Sequence, residues 1–158
     1  MTSPISAAWL CQQIVAEAHD AIIFADTENM IRLWNRGAAE IFGHSAENAL
    51  GKPLDLIIPE SLRERHRQGY QRVMATGQTK YARELLAVPG VRQDQIRISL
   101  EFTIILIKDD KGGVLGAATI IRDVTARWKL DRERQRTPGR SGSKAGFSDT
   151  SKSLRNLF

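Results

Sequence analysis

From residue 79 to residue 125 the chain reads as three strands separated by turns, and that block decides what fold is open to it. Thr79–Val88, Ile96–Ile107 and Val114–Ile121 are the three long runs, with β-branched residues throughout the second. Turn chemistry separates them around Pro89-Gly90 and from Asp109 to Gly113, and Arg122-Asp123-Val124-Thr125 closes the last run. The part ahead of this block is mixed. The order predicts an α+β chain with one antiparallel sheet and its helices on one face.

The mixed part can be read element by element. Ala7–Ala18 carries Leu10, Ile14 and Ala18 at spacings of four, the stripe of an amphipathic helix that packs on a sheet or on a second copy. Ala21–Ala25 and Met30–Trp34 flank turn residues Asp26–Asn29 and form a hairpin. Asn35 is placed to cap the next helix, which Gly43 stops, and Ser45, Asn48 and Gly51 suggest a further single turn. Pro59-Glu60-Ser61 opens a longer helix, with proline at an early position and a carboxylate near the positive end of the dipole. It runs to Thr76 and stops at Gly77. Trp128–Gln135 can extend as a charged helix, and Thr137–Ser143 has linker composition.

Composition narrows the class of function. A length of 158 residues with 42% hydrophobic content supports one domain and one core. The longest apolar run, Phe102–Ile107, is too short to span a bilayer, and the start lacks a secretory pattern, so a cytoplasmic protein without a membrane partner is expected. Cys11 is the only cysteine, which removes disulfide, zinc-pair and iron–sulfur frameworks. The net charge of +5 comes from the end: from Arg127 onward nine Lys/Arg face three Asp/Glu, and the first 126 positions carry fourteen basic against fifteen acidic residues. The folded part is therefore near neutral and no nucleic-acid partner is expected, the basic end being read as a solvated, disordered tail.

Several segments together resemble one family. They are Ala21–Asp26, Leu33-Trp34-Asn35-Arg36-Gly37-Ala38-Ala39-Glu40-Ile41-Phe42-Gly43, Gly51-Lys52-Pro53-Leu54, Ile57-Ile58-Pro59-Glu60, Met74-Ala75-Thr76-Gly77 and Arg122–Thr125. In order and spacing they resemble the PAS superfamily over residues 15 to 130. The resemblance implies a five-stranded antiparallel sheet that encloses a cavity with its flanking helices, in a homodimer built partly from the leading helix. The division expected is 1–18 as an amphipathic dimerisation helix through Leu10, Ile14 and Ala18, 19–126 as the PAS domain, and 127–158 as a charged helix start and basic tail.

Within the long helix, Leu62, His66, Gly69, Tyr70 and Val73 share about one third of the wheel, so His66 belongs to the apolar face. A neutral imidazole facing an apolar cavity suits axial ligation of haem iron, and Gly69 lets a flat macrocycle approach. Arg72 lies about 120° away on the wheel, where it can meet a propionate. This helix is also similar to that of FixL-type oxygen sensors. That resemblance implies His66 as metal ligand, Arg72 on the propionate side, and Tyr70, Leu86, Phe102 and Ile104 around the cofactor. Two positions depart from it: Tyr70 follows His66 by four residues instead of three, and Leu86 stands where those sensors carry an oxygen-contacting arginine. The functions expected are a haem b gas or redox sensor, or a cofactor-free interaction module, or one binding FAD or an apolar metabolite. FAD would use Trp34. Covalent flavin photochemistry is excluded, because the segment that would hold its cysteine reads Ile58-Pro59-Glu60-Ser61-Leu62-Arg63.

No enzyme is expected. The chain has no GxSxG, HExxH or P-loop, and a carboxylate pair of Asp94 with Glu84 or Glu101 is not expected, because both glutamates read as outward-facing strand residues. His19 and His44 sit beside turns and have no metal-ligand spacing. Asp123 and Thr125 can bond the N–H groups of the trailing helix and couple the sheet to it. With no kinase, cyclase or DNA-binding signature after them, the output is expected through a separate effector protein, through a change in dimerisation, or through a domain that has been lost.

Overall fold

The computed structural model describes residues 5–136. Its elements are α1 (Ala7–Glu17), β1 (Ala21–Asp26), β2 (Ile31–Trp34), α2 (Arg36–Phe42), α3 (Ala46–Ala49), a 3-10 turn (Leu54–Ile57), α4 (Glu60–Thr76), β3 (Leu86–Val91), β4 (Arg97–Lys108), β5 (Val114–Asp123) and α5 (Thr125–Arg136). The strands form one five-stranded sheet in the order β2-β1-β5-β4-β3, with every neighbouring pair antiparallel. The fold is thus the expected α+β arrangement. Among the described residues no helix is long and apolar enough to cross a membrane.

Local chemistry explains the helix ends. The Asn35 side-chain oxygen accepts from Ala38 N (2.9 Å), capping α2, and from Ile22 N (2.8 Å). Its amide donates to the carbonyls of Val15 (2.9 Å), Ala18 (3.2 Å) and Asp20 (3.0 Å), so one side chain ties α1, β1 and α2 together. Gly37 permits that crowding, because a Cβ there would lie 2.3 Å from the Asp20 carbonyl. Gly43 and Gly77 end α2 and α4 with φ of 79° and 65°, in the left-handed region that glycine enters without steric cost.

The strand block departs from its sequence reading at one place. Pro89 and Gly90 lie inside β3, paired with Ser99 and Ile98, and residues 79–85 form no strand. β3 is the edge of the sheet, where a missing N–H costs no ladder bond on the open side. Gly90 serves a close approach, since a Cβ there would lie 2.4 Å from the Leu100 side chain. The reversal comes later, at Arg92–Gln95, with Gln95 at φ 66° and Arg92 N donating to Ile96 O (3.0 Å).

Alternation sets the two faces of the sheet. Ile23 and Ala25 on β1, Leu100, Phe102 and Ile104 on β4, and Ala117, Thr119 and Ile121 on β5 point to the helices, while Ile105, Ile107 and Ile120 point away and stay exposed. Phe42, Ile23 and Ile31 are the largest fully buried side chains of the main core, which also holds Trp34, Leu100 and Ile121. A second, smaller cluster joins Ala25, Tyr70 and Ala117 under α4. α1 buries none of its residues: Leu10 and Ile14 are 47% and 60% exposed, so its apolar stripe is not packed on the chain's own sheet. The tail from residue 137 onward, expected as linker and disordered end, lies outside the described residues.

Candidate functional site

Between α4 and the inner face of β4 and β5 lies a cavity of about 350 Å³. Its walls are mainly apolar: Val73 and Met74 from α4, Phe102 and Ile104 from β4, and Ala117 from β5. A smaller space of about 90 Å³ continues toward Ile57, Leu62, Val88 and Leu100. Leu54, His66, Phe102 and Thr119 border both spaces, so the imidazole stands on the partition between them.

Tyr70 fixes the depth of the cavity. Its hydroxyl lies 2.9 Å from the Ala25 carbonyl and 2.7 Å from that of Asp26, to which it donates, anchoring the middle of α4 to the end of β1. Burial is the main reason that this phenol is held far above its ordinary pKa. The His66 ring lies 5.8 Å from the Tyr70 ring at an interplanar angle of 37°. Burial drives the His66 pKa down to about 4, Arg67 adding to the effect and Asp55 opposing it, so the imidazole is neutral at pH 7. Arg67 itself is held by Asp55 at 2.5 and 2.9 Å, which ties the middle of α4 to the 3-10 turn.

The structure brings most of the sequence-predicted cofactor residues together: His66, Gly69, Tyr70, Arg72, Phe102 and Ile104 all line the larger cavity. Leu86 is the exception. It is buried opposite Phe102 on β3 but lies on neither cavity wall. The reason is the segment at 79–85, which is not strand and instead places Thr79, Lys80 and Tyr81 on the wall nearby. Sequence reading missed these three, together with Met74 and Thr119. A signal for Thr119 existed, because it is the one hydroxyl in the inward series Ala117, Thr119, Ile121; the loop residues carried none. Tyr81 Oη is buried on the wall with no hydrogen-bond partner among the described residues.

The described residues contain no group of three or more His, Cys, Asp or Glu placed to hold a metal ion, so His66 would be the sole protein ligand to a haem iron. The donor chemistry fits that role: a neutral imidazole on an apolar wall, a glycine one turn away, and an arginine at the exposed rim. The other histidines stand elsewhere. His19 is at the surface, 3.9 Å from Glu40, and His44 packs edge-on against Trp34, whose indole N–H donates to the His44 carbonyl (3.0 Å). Trp34 also packs on Phe42 in the main core and lines neither cavity. Asp94 bonds its own turn at Ile96 N (3.1 Å) and Glu101 pairs with Arg127, so neither faces the cavity.

At the far end of the same strands the trailing helix is fastened. Asp123 Oδ1 accepts from Thr125 N (2.9 Å) and from the Thr125 hydroxyl (2.5 Å), and that hydroxyl accepts from Ser99 N (2.9 Å) on β4. Val124 N donates to Ser99 O (2.9 Å), and Arg127 on the first turn of α5 pairs with Glu101 of β4. The strands that carry Phe102, Ile104 and Thr119 into the cavity therefore also hold the start of α5.

Comparison with known proteins places this architecture. An uncharacterized protein of Azorhizobium caulinodans is 36% identical over 109 residues, 68% of this chain; the chain spans about 15% of that curated relative's length. Among solved structures, the PAS domain of a Colwellia psychrerythraea protein superposes with a TM-score of 0.68 at 20% identity, covering 77% of this chain and all of that one. An RNA-binding Light-Oxygen-Voltage receptor gives 0.67 at 20% identity over 85% of this chain and 39% of its own. The PAS domain of Bordetella pertussis BvgS gives 0.60 at 17% identity over 80% and 92%. At these identities the structural likeness speaks for the fold alone. The family model for the PAS fold matches residues 15–129, most of the chain from the end of α1 into α5, and the chain belongs to that family.

Proposed function

We propose that this chain is a non-catalytic sensor module that takes a small molecule into the cavity under its sheet and passes the occupied state through β4 and β5 to α5. The observation that carries this reading is the shared use of two strands: Phe102, Ile104 and Thr119 line the cavity, while Ser99 and Asp123 on the same strands bind Thr125. A volume of about 350 Å³ lies within the range of small-molecule sites, about 300–1,000 Å³. 1-Decanol serves as an uncharged probe. Its binding is expected to shift the methyl resonances of Met74 and Ile104 and to alter amide exchange in α5. Thr119→Trp, which fills the cavity, is expected to abolish both effects, and Thr125→Val to abolish only the second. Unchanged exchange in α5 on binding would contradict the coupling.

A second reading is favoured by His66 itself, neutral and on the cavity wall: haem b with His66 as axial ligand and Arg72 toward a propionate, serving gas or redox sensing. Haem would supply an iron able to take a diatomic ligand. A Soret band on addition of haemin that is lost in His66→Ala supports it; protein that stays colourless through a haemin titration rejects it. FAD bound without a covalent bond would show its own absorption in the same spectrum.

Signal output in either case is proposed to run through a homodimer and a separate effector protein. The exposed Leu10 and Ile14 on α1 support the dimer. Ile14→Glu is expected to halve the mass measured by light scattering, and an unchanged mass counts against that interface.

A further inference from the structure

The charged side chains on the cavity wall, Arg72 and Lys80, are both cationic. Arg32, Arg36, Arg67, Arg92, Arg122 and Arg127 each have a carboxylate within 4.0 Å. Arg72 and Lys80 line the cavity with their side chains exposed at its rim, and neither has a carboxylate within that distance among the described residues. Lys80 Nζ instead sits 5.2 Å above the Tyr81 ring, which keeps the ammonium at the wall. Lys108 adds a third cation nearby, on the adjoining surface that Gln78, Thr79 and Ile104 share with the rim. Among the described residues no aspartate or glutamate is on the cavity wall.

We infer that the molecule this cavity takes is a small carboxylic acid, with its apolar body against Met74, Phe102 and Ile104 and its carboxylate at the rim with Arg72 and Lys80. This rests on the ligand-binding reading given above and adds the chemical class. The interior offers a carboxylate no charge partner, since the imidazole there is neutral, so the anionic end belongs at the rim. The space holds on the order of a dozen non-hydrogen atoms if each takes roughly the 30 Å³ of a water molecule.

The rim also argues against a phosphate. It is built on the C-terminal half of α4, at Arg72 and Thr76, where the helix dipole is negative and disfavours a dianion. Two cations offset that field for a singly charged head. Gln78 and Thr79 add neutral donors on the same wall, and the buried Tyr81 hydroxyl lies beside them. An arginine and a lysine together give a planar fork and a point charge, a combination suited to a carboxylate.

The test compares decanoate with 1-decanol by titration calorimetry on the full chain, in the wild type and in the double variant Arg72→Gln/Lys80→Gln. Both substituted side chains are exposed, so the fold is retained, which an unchanged melting transition checks. The double variant is expected to weaken decanoate roughly five- to tenfold, from two partly screened ion pairs, and to leave 1-decanol within about twofold. Added salt should weaken decanoate alone. If 1-decanol binds and the double variant changes the two probes equally, the acid is refuted while the cavity reading stands. If neither probe binds, both are refuted.

Discussion

At the β1/β2 end of the sheet every inward position is filled, whereas beneath α4 the inward residues of β4 and β5 line open space. The first region holds Phe42, Ile23 and Ile31 with almost no solvent contact, and Asn35 spends its whole hydrogen-bonding capacity on five backbone partners. The second holds about 350 Å³ bounded by side chains that would gain dispersion contacts if the space closed. Packing to full density is what a scaffold needs, and retained space beside a rigid scaffold is what a binding site needs. The two regions meet where β1 pairs with β5.

The largest effect that would break this contrast is expected at Asn35. Asn35→Ala removes the cap of α2 and leaves backbone groups of α1 and β1 without partners, for a predicted loss of about 3–5 kcal/mol in urea denaturation. Phe42→Ala belongs to the same class, also at about 3–5 kcal/mol. A loss near 1 kcal/mol at both sites would mean that the first region is as loosely built as the second.

A medium effect is expected from pH. The folded state holds His66 neutral down to about pH 4, whereas the unfolded chain takes a proton near 6.5, so the unfolded state binds more protons between those values. Stability therefore falls as pH drops from 6.5 to 4, by about 2–3 kcal/mol from this group, and the loss levels off below the folded pKa. His44, also lowered by burial, contributes with the same sign, so the comparison is between wild type and His66→Gln, which should lose the larger part of the slope. Asp20, held low chiefly by its hydrogen bonds from Arg122, loses its contribution mainly below this window. Parallel pH curves for wild type and His66→Gln would show the imidazole to be solvated.

The smallest effect sharpens the contrast from the other side. Met74→Ala, at the cavity edge, is expected to cost about 1 kcal/mol, because the site already lacks neighbours on one side. A cost equal to that of Phe42→Ala would place Met74 in a filled core.

The filled end was the more legible in sequence, and the reason is local. Asn35, Gly43, Pro59-Glu60 and Gly77 act on the backbone within a few residues of themselves, so their roles follow from the chain alone. The apolar face of α4 was legible too, because Leu62, His66, Gly69, Tyr70 and Val73 recur at helical spacing. What opposes that face was not. Pro89-Gly90 has turn chemistry, and only the sheet order shows that it sits on an edge where proline is tolerated. Leu86 was placed at the cavity by the resemblance to FixL-type sensors, and reading 79–88 as strand hid Lys80 and Tyr81, whose positions depend on a segment without periodicity. Asp123 and Thr125 were legible as a capping pair, while Ser99, their partner across 26 residues, was not.

Space under α4 that the other half of the core lacks is the feature on which sensing would depend, and xenon reports such space directly because it enters dry apolar cavities. Methyl spectra recorded with and without xenon pressure are predicted to show shifts at Met74, Val73 and Ile104, with Ile23 and Ile31 unmoved. Equal shifts in both groups, or none at Met74 and Ile104, would contradict the central claim.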